Sequence, residues 1–97
     1  MSETFHELPV ALFRLGRIVA TPNALQRLDS ADILSAIQRH QAGDWGDVDE
    51  HDSNANTRAL ADGGRLFSVY HSKQEVRFWI ITEADRSVTT VLLPQDY

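Results

Sequence analysis

Acidic side chains gather in one stretch of the sequence. Residues 44–64 contain six acids against Arg58 alone, whereas residues 1–43 and residues 65–97 each hold equal numbers of acidic and basic residues. The formal net charge of −5 therefore comes from this stretch. A concentrated negative surface attracts a basic protein surface and speeds the encounter with it. The alternative is a solvated surface that aids solubility.

A tryptophan lies at the start of the same stretch. Trp45 falls between Gly43 and Gly46, in a predicted turn. A large aromatic side chain in a turn either anchors a partner or closes one end of the core. Residues 44–52 form what we call the acidic segment. The predicted partner-binding residues are Asp44, Trp45, Asp47, Asp49, Glu50 and Asp52.

Residues that could catalyse a reaction are sparse. The absence of cysteine excludes thiol nucleophiles, disulfides and thiolate metal sites, and no nucleotide-binding, zinc-protease or serine-hydrolase motif occurs. His40 lies near the end of a predicted helix, three residues after Ile37. It either packs there or serves as a general base or metal ligand. The sequence predicts no metal and no cofactor, and it favours a protein that is not an enzyme.

Charge and hydropathy exclude several classes of protein. A pI near 5.1 without a basic tail argues against general nucleic-acid binding and against docking on anionic membranes. No apolar run approaches the roughly 20 residues that span a bilayer, and the N-terminus lacks the pattern of a secretory signal. We expect a cytoplasmic protein with a single domain, residues 1–97, of which residues 1–9 are flexible.

The first two thirds of the chain are predicted to be helical. Thr and Pro at residues 21–22 are typical of a helix start, and they predict a short helix that ends near residue 28. Ser30 is predicted to cap a second helix, which ends before Gly43. A third helix is predicted over about residues 53–61. The apolar run that precedes all three is compatible with a strand or a short helix.

The end of the chain is rich in β-forming residues. Strands are predicted over residues 66–70, 76–83 and 87–93, because β-branched and aromatic side chains dominate each of them. The short polar links between them predict an antiparallel meander. The fold class is therefore α+β: two to three short N-terminal helices in residues 21–62, followed by a three-stranded antiparallel sheet in residues 65–93.

The middle predicted strand carries large apolar side chains on both faces. Trp79 and Ile81 alternate with Phe78 and Ile80. The helices can cover one face, so the second needs a cover from residues 10–19 or from a second copy of the chain. We therefore predict a homodimer formed through the sheet or its edge. The residues expected on the second face are Trp79, Ile81 and Val91.

Three stretches of the sequence are distinctive. They are GRIVATP at residues 16–22, GDWG at residues 43–46 and WIITEADRSVTT at residues 79–90, with LLP and Tyr97 after the last. In these stretches, and over about residues 15–97, the chain resembles a group of small uncharacterised proteins carried on bacterial plasmids and prophages, often described as plasmid-related. The resemblance implies kinship with mobile-element proteins and implies no activity.

The order of helices followed by an antiparallel sheet is also loosely similar to that of RelE-type and barnase-like RNase toxins. This resemblance implies that His40 is a general base or acid and that Tyr70 assists it. It implies that Arg65 and Arg77 hold phosphate. The acidic composition of this chain departs from those toxins, which are usually basic.

We predict from these features a non-enzymatic protein-interaction module. It would be an accessory protein of a mobile element that inhibits or regulates a host or defence protein through the acidic segment. An RNase-like toxin or related RNA-cleaving enzyme is the alternative.

Overall fold

Residues 10–97 fold into three helices and a four-stranded sheet. A computed structural model describes residues 10–97, and the predicted flexibility of residues 1–9 lies outside the described residues. No helix in residues 10–97 has the length and apolar character needed to cross a bilayer. The elements are β1 (Arg17–Ala20), α1 (Pro22–Arg27), α2 (Ser30–Gln41), α3 (Glu50–Asp62), β2 (Leu66–His71), β3 (Arg77–Thr82) and β4 (Val88–Leu92), followed by a 3-10 turn at Pro94–Asp96.

The first two helices begin close to their predicted positions. The Oγ1 of Thr21 accepts a hydrogen bond from the N–H of Ala24 (3.2 Å) and caps α1, as the sequence predicts. Helix α2 begins at Ser30, and Asp29 occupies the cap position that the sequence assigns to Ser30. Gly43 follows the end of α2 with a φ of +84°, a backbone conformation that favours glycine.

Helix α3 begins three residues before its predicted start. The prediction is based on the spacing of apolar residues, which begins near residue 53. The helix begins earlier because Asp49 caps it. The carboxylate of Asp49 accepts a hydrogen bond from the N–H of Asp52 (2.8 Å). Glu50 and Asp52 occupy the first turn, where the helix dipole stabilises negative charge. Part of the acidic segment therefore builds a helix end.

The sheet has the strand order β1-β4-β3-β2. Strands β2, β3 and β4 form the predicted antiparallel meander, with Ser68 opposite Ile80 and Ile80 opposite Val91. The predicted count of three strands is wrong, because β1 lies beside β4 and runs parallel to it, with Ile18 opposite Thr89. A parallel pair needs a long connection, and here that connection contains all three helices together with β2 and β3. No local turn therefore marks this pairing in the sequence.

Helices α1 and α2 cover one face of the sheet. Phe78, Ile80 and Val91 are buried there, so the expected place of Val91 on the second face is wrong. Its register opposite Ile80 on β3 fixes this orientation. Leu25 and Leu34 lie on the outer sides of these helices and are 63% and 62% exposed. The helix residues that pack on this face are Ala24, Leu28, Ala36 and Ile37.

The second face of the sheet is largely closed by the chain itself. Ile81 and Leu92 are buried on it, and Trp79 is half-buried. The ring of the final residue, Tyr97, lies edge-on to Trp79 with centroids 5.7 Å apart.

The sequence allows residues 10–19 to act as a cover for the second face, in the form of an added strand or a packed helix. They do add a strand, since Arg17–Ala20 forms β1 at the edge of the sheet, but Phe13 and Leu15 pack against the two core clusters and not over Trp79.

The GDWG turn binds the edge of β2 through its backbone. The N–H of Val69 donates to the carbonyl of Trp45 (3.0 Å), and the N–H of Asp47 donates to the carbonyl of Val69 (2.8 Å). Gly46 lies between them with a φ of +74°, and a Cβ atom there would overlap the Val69 carbonyl oxygen. Only glycine satisfies both requirements.

We expect Gly46→Ala to lower the free energy of unfolding by roughly 3 kcal/mol or more, because it adds a steric overlap to a left-handed backbone. Gly63→Ala is the matched control, since Gly63 has a φ of +85° but open space around its Cβ position. That variant should cost only about 1 kcal/mol. Urea denaturation of the three proteins measures both values, and equal losses would contradict the role of close approach at Gly46.

Candidate functional site

His40 joins helix α2 to the sheet in the protein interior. Its side chain is fully buried, with Nδ1 2.5 Å from the Ser68 hydroxyl and Nε2 2.9 Å from the Thr82 hydroxyl. The Thr82 hydroxyl lies 2.7 Å from that of Thr89, which donates to the Leu15 carbonyl oxygen at 2.7 Å. One chain of hydrogen bonds thus links α2, strands β2, β3 and β4, and the segment before β1.

The Leu15 carbonyl, at the end of this chain of hydrogen bonds, sets the direction of each of them. The Leu15 carbonyl can only accept, so the Thr89 hydroxyl donates to it and accepts from Thr82. Thr82 in turn accepts from Nε2–H of His40. The Nδ1 atom of His40 accepts from the Ser68 hydroxyl. These directions assign a neutral imidazole that is protonated on Nε2.

The environment of His40 keeps it neutral. Burial, together with the positive charge of Arg86, lowers the pKa of His40 from 6.5 to about 4. The distance from His40 Nδ1 to the Ser68 hydroxyl is short enough for His40 to act as a base on Ser68 as a nucleophile. Both side chains, however, are fully buried. Neither side chain is exposed to solvent in this structure, so this burial fits the interpretation of His40 as a packed core residue.

The residues implied by the RNase resemblance lie in different places. Tyr70 is buried, which raises its pKa to about 12, and its hydroxyl donates to the carbonyl of Asp44 (2.6 Å). Arg65 pairs with Glu83 (3.3 Å). Arg77 lies at the opposite end of the β2–β3 pair from Arg65. The structure does not bring together His40, Arg65, Tyr70 and Arg77.

The first residues of the acidic segment stabilise the GDWG turn. Asp44 pairs with Arg39 (2.7 Å), and this hydrogen bond lowers the pKa of the Asp44 carboxyl. Trp45 is 8% exposed, and its ring lies 6.2 Å from that of Phe13 and 5.7 Å from that of His40. Trp45 therefore closes one end of the core, which is the alternative to a partner anchor.

The remaining acids surround the start of α3. Asp49 caps the helix, while the side chains of Asp47 and Glu50 are exposed. Asp52 is half-buried and makes no ion pair within residues 10–97. We call these four residues the acidic turn. They carry the negative charge of the acidic segment that no basic side chain in the described structure neutralises.

A pocket of about 310 Å³ opens beside the acidic turn, on the second face of the sheet. The rings of Phe67 and Trp79 meet edge to face with centroids 5.2 Å apart, and Tyr97 meets Trp79 from another side. The indole Nε1 of Trp79 is buried and has no hydrogen-bond acceptor within residues 10–97. We call this the aromatic pocket; its lining is Asp52, Arg65, Phe67, Trp79, Ile81 and Tyr97.

Only part of this pocket stands out in the sequence. Trp79 is conspicuous as a large side chain in a predicted strand, and Asp52 as a member of the acidic segment. Phe67 could be found from the β2–β3 register, which places it opposite Ile81. Tyr97 gives no such signal, because it follows the last strand and reaches the second face by way of the 3-10 turn.

No protein-family model, curated protein or solved structure matches this chain. Within the described part of the chain, no three His, Asp or Glu side chains come together in a way that could hold a metal ion. The functional assignment therefore depends on the geometry of the acidic turn and the aromatic pocket.

The buried imidazole makes the stability of the fold depend on pH. The unfolded chain binds a proton at His40 near pH 6.5, whereas the folded protein binds it only near pH 4. Protonation thus favours the unfolded state, and stability falls as pH drops from about 6.5 to about 4. The full effect of this one group is roughly 3 kcal/mol.

His40→Gln should remove this dependence while keeping a donor and an acceptor at the same position. We expect the wild type to be more stable at pH 7, and the difference between the two proteins to shrink as pH falls to about 4. Urea unfolding at a series of pH values measures this, and the carboxylates common to both proteins cancel in the difference. Parallel stability curves would contradict the assignment.

Proposed function

We propose that the protein is a non-enzymatic protein-interaction module that binds a basic protein surface through the acidic turn and the aromatic pocket. One observation carries the proposal: an aromatic pocket of about 310 Å³ lies directly beside acids that no basic side chain in residues 10–97 neutralises. The two features touch at Asp52, which belongs to both.

The arrangement matches the anatomy of protein–protein interfaces. Binding energy concentrates in aromatic side chains near the centre of an interface, and charged residues at the rim steer the partner. Phe67 and Trp79 supply such a centre, and Asp52 lines the same pocket. Asp47 and Glu50 are exposed acids that lie a few residues before Asp52 in the chain. The negative charge favours a partner with Lys and Arg on its surface, and it favours rapid association.

The resemblance to plasmid-related proteins suggests the setting of this interaction. We propose a cytoplasmic accessory protein of a mobile element, whose partner is a host or defence protein that it inhibits or regulates. Two of the stretches that carry the resemblance, the GDWG turn and residues 79–90, adjoin or contribute to the acidic turn and the aromatic pocket. The turn leads directly into the acidic turn, and Trp79 and Ile81 line the pocket.

The RNA-cleaving alternative finds no support in the site residues that it implies. His40 is fully buried, and Arg65 and Arg77 lie at opposite ends of the β2–β3 pair. We therefore propose no second activity for the chain.

The homodimer stays a prediction. Strand β1 has no partner on its outer side within the described residues, and Ile18 on it is 49% exposed. A second copy could continue the sheet there through a two-fold contact. Light scattering at micromolar concentration should give twice the chain mass of 10.9 kDa, and Ile18→Lys should return a monomer. A wild-type mass equal to one chain would exclude the dimer.

We expect Asp47→Asn combined with Glu50→Gln to weaken partner binding, because it removes the two exposed charges of the acidic turn that neither cap a helix nor line the pocket. Asp62→Asn combined with Glu75→Gln is the matched control, since it removes two exposed charges elsewhere on the surface. Tagged full-length proteins are used to capture partners from a bacterial host, and the association rate of the purified partner is measured between about 50 and 300 mM salt.

The wild type and the control should associate faster at low salt, and the acidic-turn variant should associate more slowly and with little salt dependence. Equal association rates and equal salt dependence for the three proteins would contradict a role for the acidic turn in binding.

A further inference from the structure

We propose that the aromatic pocket binds a single lysine or arginine side chain of the partner, with its cationic group between the aromatic rings and the carboxylate of Asp52. This inference rests on the proposed function and adds the chemical group that the pocket recognises. It is carried by the ring geometry, by the local balance of charge and by the size of the pocket.

The rings offer the kind of surface that attracts a cation. Trp79 contacts both Phe67 and Tyr97 edge to face, at centroid distances of 5.2 and 5.7 Å. Such crossed rings present faces and edges in different directions, and the face of an aromatic ring attracts positive charge. Tryptophan is the strongest of the aromatic side chains in this interaction.

The charge at the pocket is negative despite the presence of an arginine. Arg65 is paired with Glu83 (3.3 Å) and donates to the Tyr97 hydroxyl (3.0 Å), so its guanidinium is already engaged. Asp52 has no ion pair within residues 10–97. These three ionisable side chains sum to one negative charge, which an incoming ammonium or guanidinium group would neutralise.

The size of the pocket suits one side chain. Its volume of about 310 Å³ is at the lower end of the range of roughly 300–1,000 Å³ for pockets that hold small molecules. Tyr97 is 71% exposed, so its ring has room to turn as the pocket fills. The apolar part of a lysine or arginine side chain would pack on Ile81 and the rings, while its charged end reaches Asp52.

Peptide titrations followed by NMR test this inference. The full-length protein, labelled with ¹⁵N, is titrated with capped tetralysine, tetra-acetyllysine and tetraglutamate. The indole N–H signals of the two tryptophans report separately on the aromatic pocket and on the buried Trp45. We expect tetralysine to shift the Trp79 signal and leave that of Trp45 in place, and we expect neither of the other peptides to shift Trp79.

A matched pair of variants tests the role of the carboxylate. Asp52→Asn should weaken the binding of tetralysine roughly three- to tenfold. Asp62→Asn makes the same change in charge about 15 Å away along α3, and it should leave the affinity unchanged. Trp79→Leu, followed through backbone amides, should weaken binding to a similar degree while the folded spectrum is retained.

Other outcomes would separate this inference from the proposed function. Tetralysine that shifts the amides of Asp47 and Glu50 but not the indole of Trp79 would overturn the pocket assignment and leave the acidic turn as a binding surface. A Trp79 shift caused by tetraglutamate, or equal affinities for the Asp52 and Asp62 variants, would also overturn it. A captured partner that binds the acidic-turn variant as well as the wild type would overturn the proposed function alone.

Discussion

The chain of hydrogen bonds through His40 is the constraint on which the rest of the fold depends. Ser68, Thr82 and Thr89 are fully buried on three neighbouring strands, and a buried hydroxyl without a partner costs about 1–3 kcal/mol. One imidazole from α2 and one carbonyl from the segment before β1 satisfy all three. This chain of hydrogen bonds therefore fixes the helix, the meander and the N-terminal segment relative to one another.

Around this chain, the conspicuous sequence motifs serve structure more than recognition. Gly46 of the GDWG turn allows close approach to β2, and the tryptophan of the turn packs against His40. In the β3–β4 turn, Arg86 donates hydrogen bonds to the carbonyls of Ala59 (3.0 Å) and Gly64 (2.5 Å), and so holds the end of α3 against the sheet. The exceptions are Trp79 and Ile81, which line the aromatic pocket beside the acidic turn.

The parts of the fold that local patterns determine could be predicted. Period-2 alternation and short links define β2, β3 and β4, and the cap at Thr21 defines α1. Strand β1 could not be placed, because its partner β4 lies some seventy residues later and no local signal connects them. The same reason hides the aromatic pocket, since its walls come from α3, two strands and the last residue. The sequence shows the acidic segment as a cluster of charge. It does not show that Asp49 caps a helix or that Asp44 forms an ion pair, because both contacts depend on the folded structure.

The pairing of β1 with β4 has a consequence for biosynthesis. Strand β4 is the last strand of the sheet to be synthesised, and β1 is the first. During translation β1 therefore has no partner in the sheet until β4 has left the ribosome. The three helices and the first hairpin can form earlier, but the four-stranded sheet, and with it the hydrogen bonds through His40, is complete only after β4 has emerged. A ribosome stalled within the codons for β4 would hold a nascent chain whose strand β1 is still unpaired.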